Sequence, residues 1–344
     1  MNKLRLLQPL SRLIYSLGFL SRELRSQFFL GLAIFFSLFT VAYFFDAVTG
    51  GAAEQTLDYD SGTLDTAMEW RLSSPPPDSD IVIVDIDERS LALMAEEFGR
   101  WPWPRSVMAD FLAMLAELQP KAVGVNIMYS DPDLSDVEGD QILDEVISYL
   151  PNTVFPMTRL SPENDVLSEV SVEMLPGAEW EYGAGNNTVS MLFTMFPSAQ
   201  DGLGLNNLVL DDDGLVRRFQ PRWVERGFSL PSLAYRMSEA ANEDSWSHRS
   251  NAPEYLINWR NKHGTYRRVS FVDVYLALLG DGDLDLSELE NKFFVLGLTA
   301  PGLAMFKGTA ISSATDDNLI IANSLDDMLN DTGLLTLPAW VIAL

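Results

Sequence analysis

Ile81-Val-Ile-Val-Asp-Ile86 and Ala122-Val-Gly-Val-Asn-Ile-Met128 decide the fold. Both are short apolar runs without the alternation of a half-solvated strand, which is the pattern of a parallel strand buried on both faces. Between them Pro104 opens a helix at a position suited to proline. Val107, Phe111, Met114, Leu115 and Leu118 then fall on one face before Pro120 stops it. Strand, amphipathic helix and strand make a βαβ unit with parallel strands and a right-handed crossover. A third round follows, with Ile142, Val146 and Leu150 on a helix and Thr153 to Met157 as the next strand.

Beyond it the pattern changes. Residues 158–186 are acidic, aperiodic and hold Pro162 and Pro176, so they read as a long excursion. Thr188 to Phe196 is a strand candidate. Leu205–Leu210 and Leu215–Trp223 flank Asp211-Asp-Asp-Gly214, whose Asp-Gly pair predicts a hairpin. Ser232–Ala241 reads as a short helix and Tyr255–Trp259 as a strand. Ser270 and Asp273 have capping-box spacing ahead of Val274, Leu276 and Leu279, with Gly280 at the stop. Phe293–Leu298 is a buried strand, and Asn323 is a plausible N-cap for Ser324–Leu329. The sum predicts an α/β fold: a mixed, mainly parallel sheet with flanking helices and an antiparallel hairpin, preceded by one N-terminal transmembrane helix.

That helix is Phe28–Phe45, an uncharged run spanning roughly 27 Å at 1.5 Å per residue. Lys3, Arg5, Arg12, Arg22 and Arg25 precede it against the single acid Glu23. Residues 1–27 therefore carry +4 while the whole chain of 344 residues carries −26. Basic residues before the run and acidic ones after it place the leader in the cytoplasm and the body outside. A cleaved leader is the competing reading, with small residues at Gly51, Ala52 and Ala53, although the apolar run exceeds the usual length. The organisation is then a leader at 1–27, a span at 28–45, a stalk and Pro-rich spacer at 46–80 and an extracytoplasmic body at 81–333. Residues 334–344 (LLTLPAWVIAL) read as the start of a second membrane segment, with a short core helix as the alternative. The negative body repels phosphate backbones, which argues against nucleic acid, and the absence of cysteine excludes disulfides and thiolate sites.

Chemistry concentrates where the first two strands end. Asp85 and Asp87 close one, and Asp131 and Asp133 follow the other, so both pairs lie at the carboxyl edge where open α/β sheets bind ligands. These carboxylates have the oxygen ligands a hard cation needs, with Asp85, Asp87 and Asp131 as the metal set. Arg100 and Arg105, from the intervening segment, can instead pair with them. Trp101 and Trp103 either anchor the core or rim a cleft. The ligand-binding candidates are thus Asp85, Asp87, Arg100, Trp101, Trp103, Arg105, Asp131 and Asp133. A strand ending Asp85-Ile-Asp87 also resembles the nucleophile motif of haloacid-dehalogenase-type phosphatases, in which Asp85 would attack phosphorus beside Mg²⁺, but Arg89 departs from it. Asp281–Asp285 lacks the glycine and final glutamate of a calcium loop, Gly202 and Gly204 lack a nucleotide-binding context, and His263 reads as a turn residue. No cofactor is expected.

Read in order, Ile81–Glu88, Gly99-Arg-Trp-Pro-Trp-Pro-Arg105, Ala122–Asp133, Asp211–Arg218, Phe228–Leu233, Ile257-Asn-Trp-Arg260 with Gly264-Thr265, Val269–Val274, Phe294–Pro301 and Ala322-Asn-Ser-Leu325 resemble the second type of CHASE domain, the cyclase/histidine-kinase-associated sensory extracellular module. The resemblance covers roughly residues 55–340. Asn126, where the family often has Asp, and Ile321, where a His commonly precedes Ala-Asn, depart from it. It implies a non-enzymatic sensor in the bacterial inner membrane with its body in the periplasm. Such a sensor binds a small-molecule or ionic ligand, pairs as a homodimer, and drives a cytoplasmic cyclase, kinase or diguanylate cyclase absent from this chain. A periplasmic Mg²⁺-dependent phosphohydrolase using Asp85 and Asp87 and a membrane-anchored assembly module are the alternatives.

Overall fold

A computed structural model describes residues 29–38, 40, 62, 64–68, 70, 71, 74–134, 136–183, 185, 187–241, 254–260 and 266–334. The chain divides into two units, Met1–Leu64 with Leu337–Leu344, and Asp65–Thr336. In the first, residues 29–38 and 40 are helical with exposed apolar side chains such as Leu30 and Phe35. Among the described residues no helix is long and apolar enough to cross a membrane. The leader, residues 28, 39 and 41–45 of the expected span, and residues 335–344 lie outside the described residues, as does His263.

The second unit is built on a seven-stranded sheet. Its strands are β1 (Ile81–Ile86), β2 (Ala122–Asn126), β3 (Thr153–Arg159), β4 (Met191–Phe193), β5 (Leu203–Leu205), β6 (Arg267–Ser270) and β7 (Phe293–Leu298). The order β6-β1-β7-β2-β3 is parallel throughout. β4 joins β3 antiparallel and β5 pairs β3 in parallel. The expected βαβ unit is therefore present with its two strands separated: β7 lies between β1 and β2, and the β6-to-β7 crossover steps over β1 in turn.

Among the described residues six helices flank the sheet: α1 (Glu88–Phe98), α2 (Arg105–Leu115), α3 (Val137–Ser148), α4 (Leu233–Ala240), α5 (Phe271–Leu278) and α6 (Asp317–Leu329). Strand side chains alternate between faces. Val82, Val84, Ile86, Val125, Phe294 and Leu296 pack with α1, α2, α3 and α5. Ile81, Ile83, Ala122, Phe293 and Val295 pack with α4 and α6. Burial on both faces is why β1 and β7 read as continuous apolar runs.

Several local expectations are corrected. In α3 the buried residues are Gly139, Asp140, Leu143 and Ile147, one position round from the expected stripe, and Ile142 is exposed. Asp211–Leu215 does close a turn, with Gly214 N–H donating to Asp211 O at 2.8 Å, but its flanks do not pair as a hairpin, because Val216 bridges Thr309 and Arg218–Phe219 pair with Tyr255–Leu256. The hairpin joins Arg222–Glu225 to Phe228–Pro231 through Arg226 and Gly227, both at positive φ. The strand at Tyr255 is only Tyr255–Leu256, paired with Arg218–Phe219. Ser270 does not cap α5 with its side chain, since its hydroxyl donates to Asp87. α6 starts well before Asn323: Asp316 caps it by accepting from Leu319 N–H at 3.0 Å, and Asn323 is a buried interior residue.

Candidate functional site

The register aligns Asp85 of β1 with Gly297 of β7, and Gly297 with Asn126 of β2, as a row at the carboxyl edge. The first turn of α6 lies over that row. Arg268 of β6 grips both Asp85 oxygens at 2.7 Å and reaches Asp316, the cap of α6, at 3.0 and 3.2 Å. Burial holds the Asp85 carboxyl above its usual range in spite of Arg268. Asn318 rests its amide on Gly297, where an added Cβ would stand 2.3 Å from Oδ1. A row of side chains continues from there: Thr158 Oγ1 donates to Asn206 Oδ1 at 2.7 Å, Asn206 Nδ2 faces Asn126 Oδ1 at 3.5 Å, and Asn126 Nδ2 donates to Asn318 Oδ1 at 3.1 Å. The row ends on Asn318 Nδ2, buried and without a hydrogen-bond partner, and the Oδ1 of the preceding Asp317 is likewise buried without one. Burial pushes Asp317 up to about 6.

The other sequence candidates fall into separate settings. Asp87 caps α1, its Oδ1 accepting from Ser90 N–H, Ser90 Oγ and Ser270 Oγ, each at 2.8 Å. Burial would raise this carboxyl, and those hydrogen bonds bring it below the usual range. Trp103 is buried, 5.1 Å from Trp101 and 5.4 Å from Phe271, within the helical layer beside the sheet. Arg100 and Asp131 are exposed, and Asp131 accepts from Ser130 Oγ at 2.7 Å. Asp133 N–H donates to Asp140 Oδ2 at 2.7 Å, and Arg105 Nε lies 3.4 Å from the other oxygen of Asp140. The eight residues thus share an edge rather than one cluster. Among the described residues no group of three His, Asp or Glu side chains is arranged to hold a metal ion.

A second polar centre lies near the opposite end of α6, where sequence reasoning assigned no role. Arg260, Asp326 and Asp327 are almost wholly buried. Arg260 donates from Nε and Nη2 to Asp326, and from Nη1 to Asp327 at 2.8 Å and to Asn258 O at 2.9 Å. Tyr266 Oη donates to Asp326 at 2.8 Å. Burial opposes ionisation of both carboxyls; Arg260 carries Asp326 below its usual range, whereas Asp327 is pushed up to about 6. Both ends of the body tie into this centre. On the incoming side, Asp78 N–H donates to Asp326 at 3.0 Å and Arg71 to Asn258 Oδ1 at 2.7 Å. On the outgoing side, Thr332 Oγ1 accepts from Arg260 at 2.7 Å and donates to Asp327 at 2.9 Å, and Leu334 bridges Leu256.

A family model described as the CHASE2 domain matches residues 36–344, nearly the whole chain. The chain belongs to the CHASE2 family. CHASE2 domains are extracellular sensory domains of signalling receptors, not catalytic modules. A search of the curated proteins and one of the solved structures each returned no match. In this CHASE2 domain both oxygens of Asp85 are engaged by Arg268, and Oδ1 of Asp87 is engaged by a cap. The signal that would have found the buried centre is Ile257-Asn-Trp-Arg260 together with Asp326-Asp327: an arginine closing a largely apolar run needs acid partners if it is buried.

Proposed function

We propose that the chain is the sensory part of a membrane-anchored receptor. Phe28–Phe45 crosses the inner membrane once, the basic leader stays in the cytoplasm and the acidic body stands in the periplasm. A ligand or environmental change at the carboxyl edge of the sheet is passed through α6 to the segments on either side of the body, and so to a cytoplasmic cyclase, kinase or diguanylate cyclase.

One observation carries this reading. α6, about 20 Å long at 1.5 Å per residue, is fixed at its start to the sheet edge through Asp316 and Arg268, and near its end to both flanking segments through Asp326, Asp327 and Arg260. A rigid element with two anchored ends transmits a change at one end to the other, provided that the ligand favours one of two packings. Protease added to intact spheroplasts tests the topology. The body is digested while residues 1–27 stay protected; a body that survives shielded inside the cell refutes the reading.

A further inference from the structure

In a chain carrying −26, acid partners for arginine are plentiful. The buried arginines spend them accordingly: Arg159 holds Asp165 and Glu225, Arg217 holds Asp65, Asp211 and Asp213, Arg260 holds Asp326 and Asp327, and half-buried Arg268 holds Asp85 and Asp316. Arg105 also has an acid beside it, Asp140, but the pair is not closed by a hydrogen bond. The Arg105 side chain is only 15% exposed, yet it makes no hydrogen bond to any described residue. Its Nε is closed off beside Asp140 at 3.4 Å, outside hydrogen-bonding geometry, and its guanidinium carbon lies 4.5 Å from the centre of the Tyr129 ring.

The platform under it is rigid. Tyr129 is 3% exposed, its ring packs 5.7 Å from Phe196 and 6.5 Å from Phe155, and its carbonyl accepts from Met195 N–H at 2.7 Å. Arg105 is the first residue of α2, and Tyr129 follows β2, so the pair sits at the carboxyl edge of the sheet. Stacking and the Asp140 charge orient the guanidinium while its two terminal nitrogens stay uncommitted. Such a planar fork matches the two oxygens of a carboxylate.

We propose that Arg105, held on Tyr129, is a binding site for a small monocarboxylate. The single charge follows from the surroundings. Asp140 already neutralises much of the Arg105 field, and Asp131 and Asp133 stand on the loop beside Tyr129, so a dianion meets more repulsion than a monoanion. This assignment rests on the sensor reading for its purpose, and names the ligand class that the sheet edge would take.

Titration of the full chain in detergent with sodium propionate, glycine and inorganic phosphate at matched ionic strength, followed by calorimetry and thermal shift, tests it. Propionate or glycine binds saturably, phosphate binds at least tenfold more weakly, and Arg105→Gln weakens the carboxylate roughly 10- to 100-fold, the worth of a charge-assisted hydrogen bond. Should Arg105→Gln not fold, Arg105→Lys keeps the charge beside Asp140 but lacks the fork, and loses about tenfold. Absence of carboxylate binding, or binding unmoved by these changes, overturns the site. Phosphate binding as tight as propionate overturns the monocarboxylate class. Either result leaves the spheroplast experiment to decide the sensor reading on its own.

Discussion

Replacing Arg260 by methionine removes the only cation that touches Asp326 and Asp327 among the described residues, and leaves two carboxyl groups that are 1% and 0% exposed. It also deletes the donors to Asn258 O and Thr332 Oγ1. Removing one partner of a buried ion pair costs about 3–5 kcal/mol. Asp327, pushed up to about 6, takes a proton readily and limits the loss, so about 4 kcal/mol is expected at pH 7. For a body of this size that lowers Tm by about 8–16 °C. Without Arg260 both carboxyls favour the neutral form in the folded state, so their folded pKa values lie above the unfolded ones. The added penalty is then absent at low pH and grows as pH rises through the folded values. Urea unfolding followed by circular dichroism and by the fluorescence of buried Trp259 reads the defect at pH 5 and pH 7. It is smaller at pH 5, and adding Asp326→Asn with Asp327→Asn restores more than half of it. A defect below 1 kcal/mol, or one indifferent to pH and to the asparagines, refutes the electrostatic account.

Asp317→Asn acts in the opposite direction. The folded pKa of about 6 exceeds the unfolded value, so the native protein loses stability as pH rises from 4 to 6, and the variant is more stable by on the order of 1–2 kcal/mol at pH 7 and equal at pH 4. Equal urea midpoints at pH 7 would argue against a carboxyl held neutral by burial. Gly204→Ala puts a Cβ 2.7 Å from Leu233 Cα and 2.9 Å from Ser232 O, backbone atoms that cannot swing aside. The denaturation midpoint drops by about 2–3 kcal/mol equivalent with an unchanged slope. Arg268→Met frees Asp316 and so loosens the start of α6. Hydrogen exchange at Leu334 N–H, which donates to Leu256 O at 2.9 Å, speeds up while that of Val295 in the central strand holds steady. Unchanged exchange at Leu334 would remove α6 from the transmission path.

The central strands were legible because burial on both faces imposes composition without reference to partners, as in β1 and β7. α2 announced itself through Pro104 and its spaced apolar residues. The position of β7 between β1 and β2 was not legible, since pairing between distant segments leaves no local pattern. α1 went unread because it fully buries only Ser90 and Met94. α6 was shortened because its buried surface holds Asn318, Asn323, Asp326 and Asp327, which local patterning scores as solvent-facing. The same limit governs the site. Asp85 could be placed at the end of its strand, but Arg268, its partner across 183 positions, could not be named from spacing. Arg105 and Asp131 to Asp133 were placed at the sheet edge by their neighbouring strands, whereas the stacking of Arg105 on Tyr129 depends on tertiary packing.

The late arrival of β7 has a consequence for biogenesis. The middle of the sheet is supplied only after its neighbours β1 and β2 have both been made. Until then the one edge of each that β7 covers is open, although β6 and β3 already flank the other edges, and an open edge invites pairing with the wrong neighbour. The central pairing of the sheet therefore completes only once β7 has been made. Any delay in delivering Phe293–Leu298 is then a moment in which apolar strand edges stand exposed to aggregation and proteolysis.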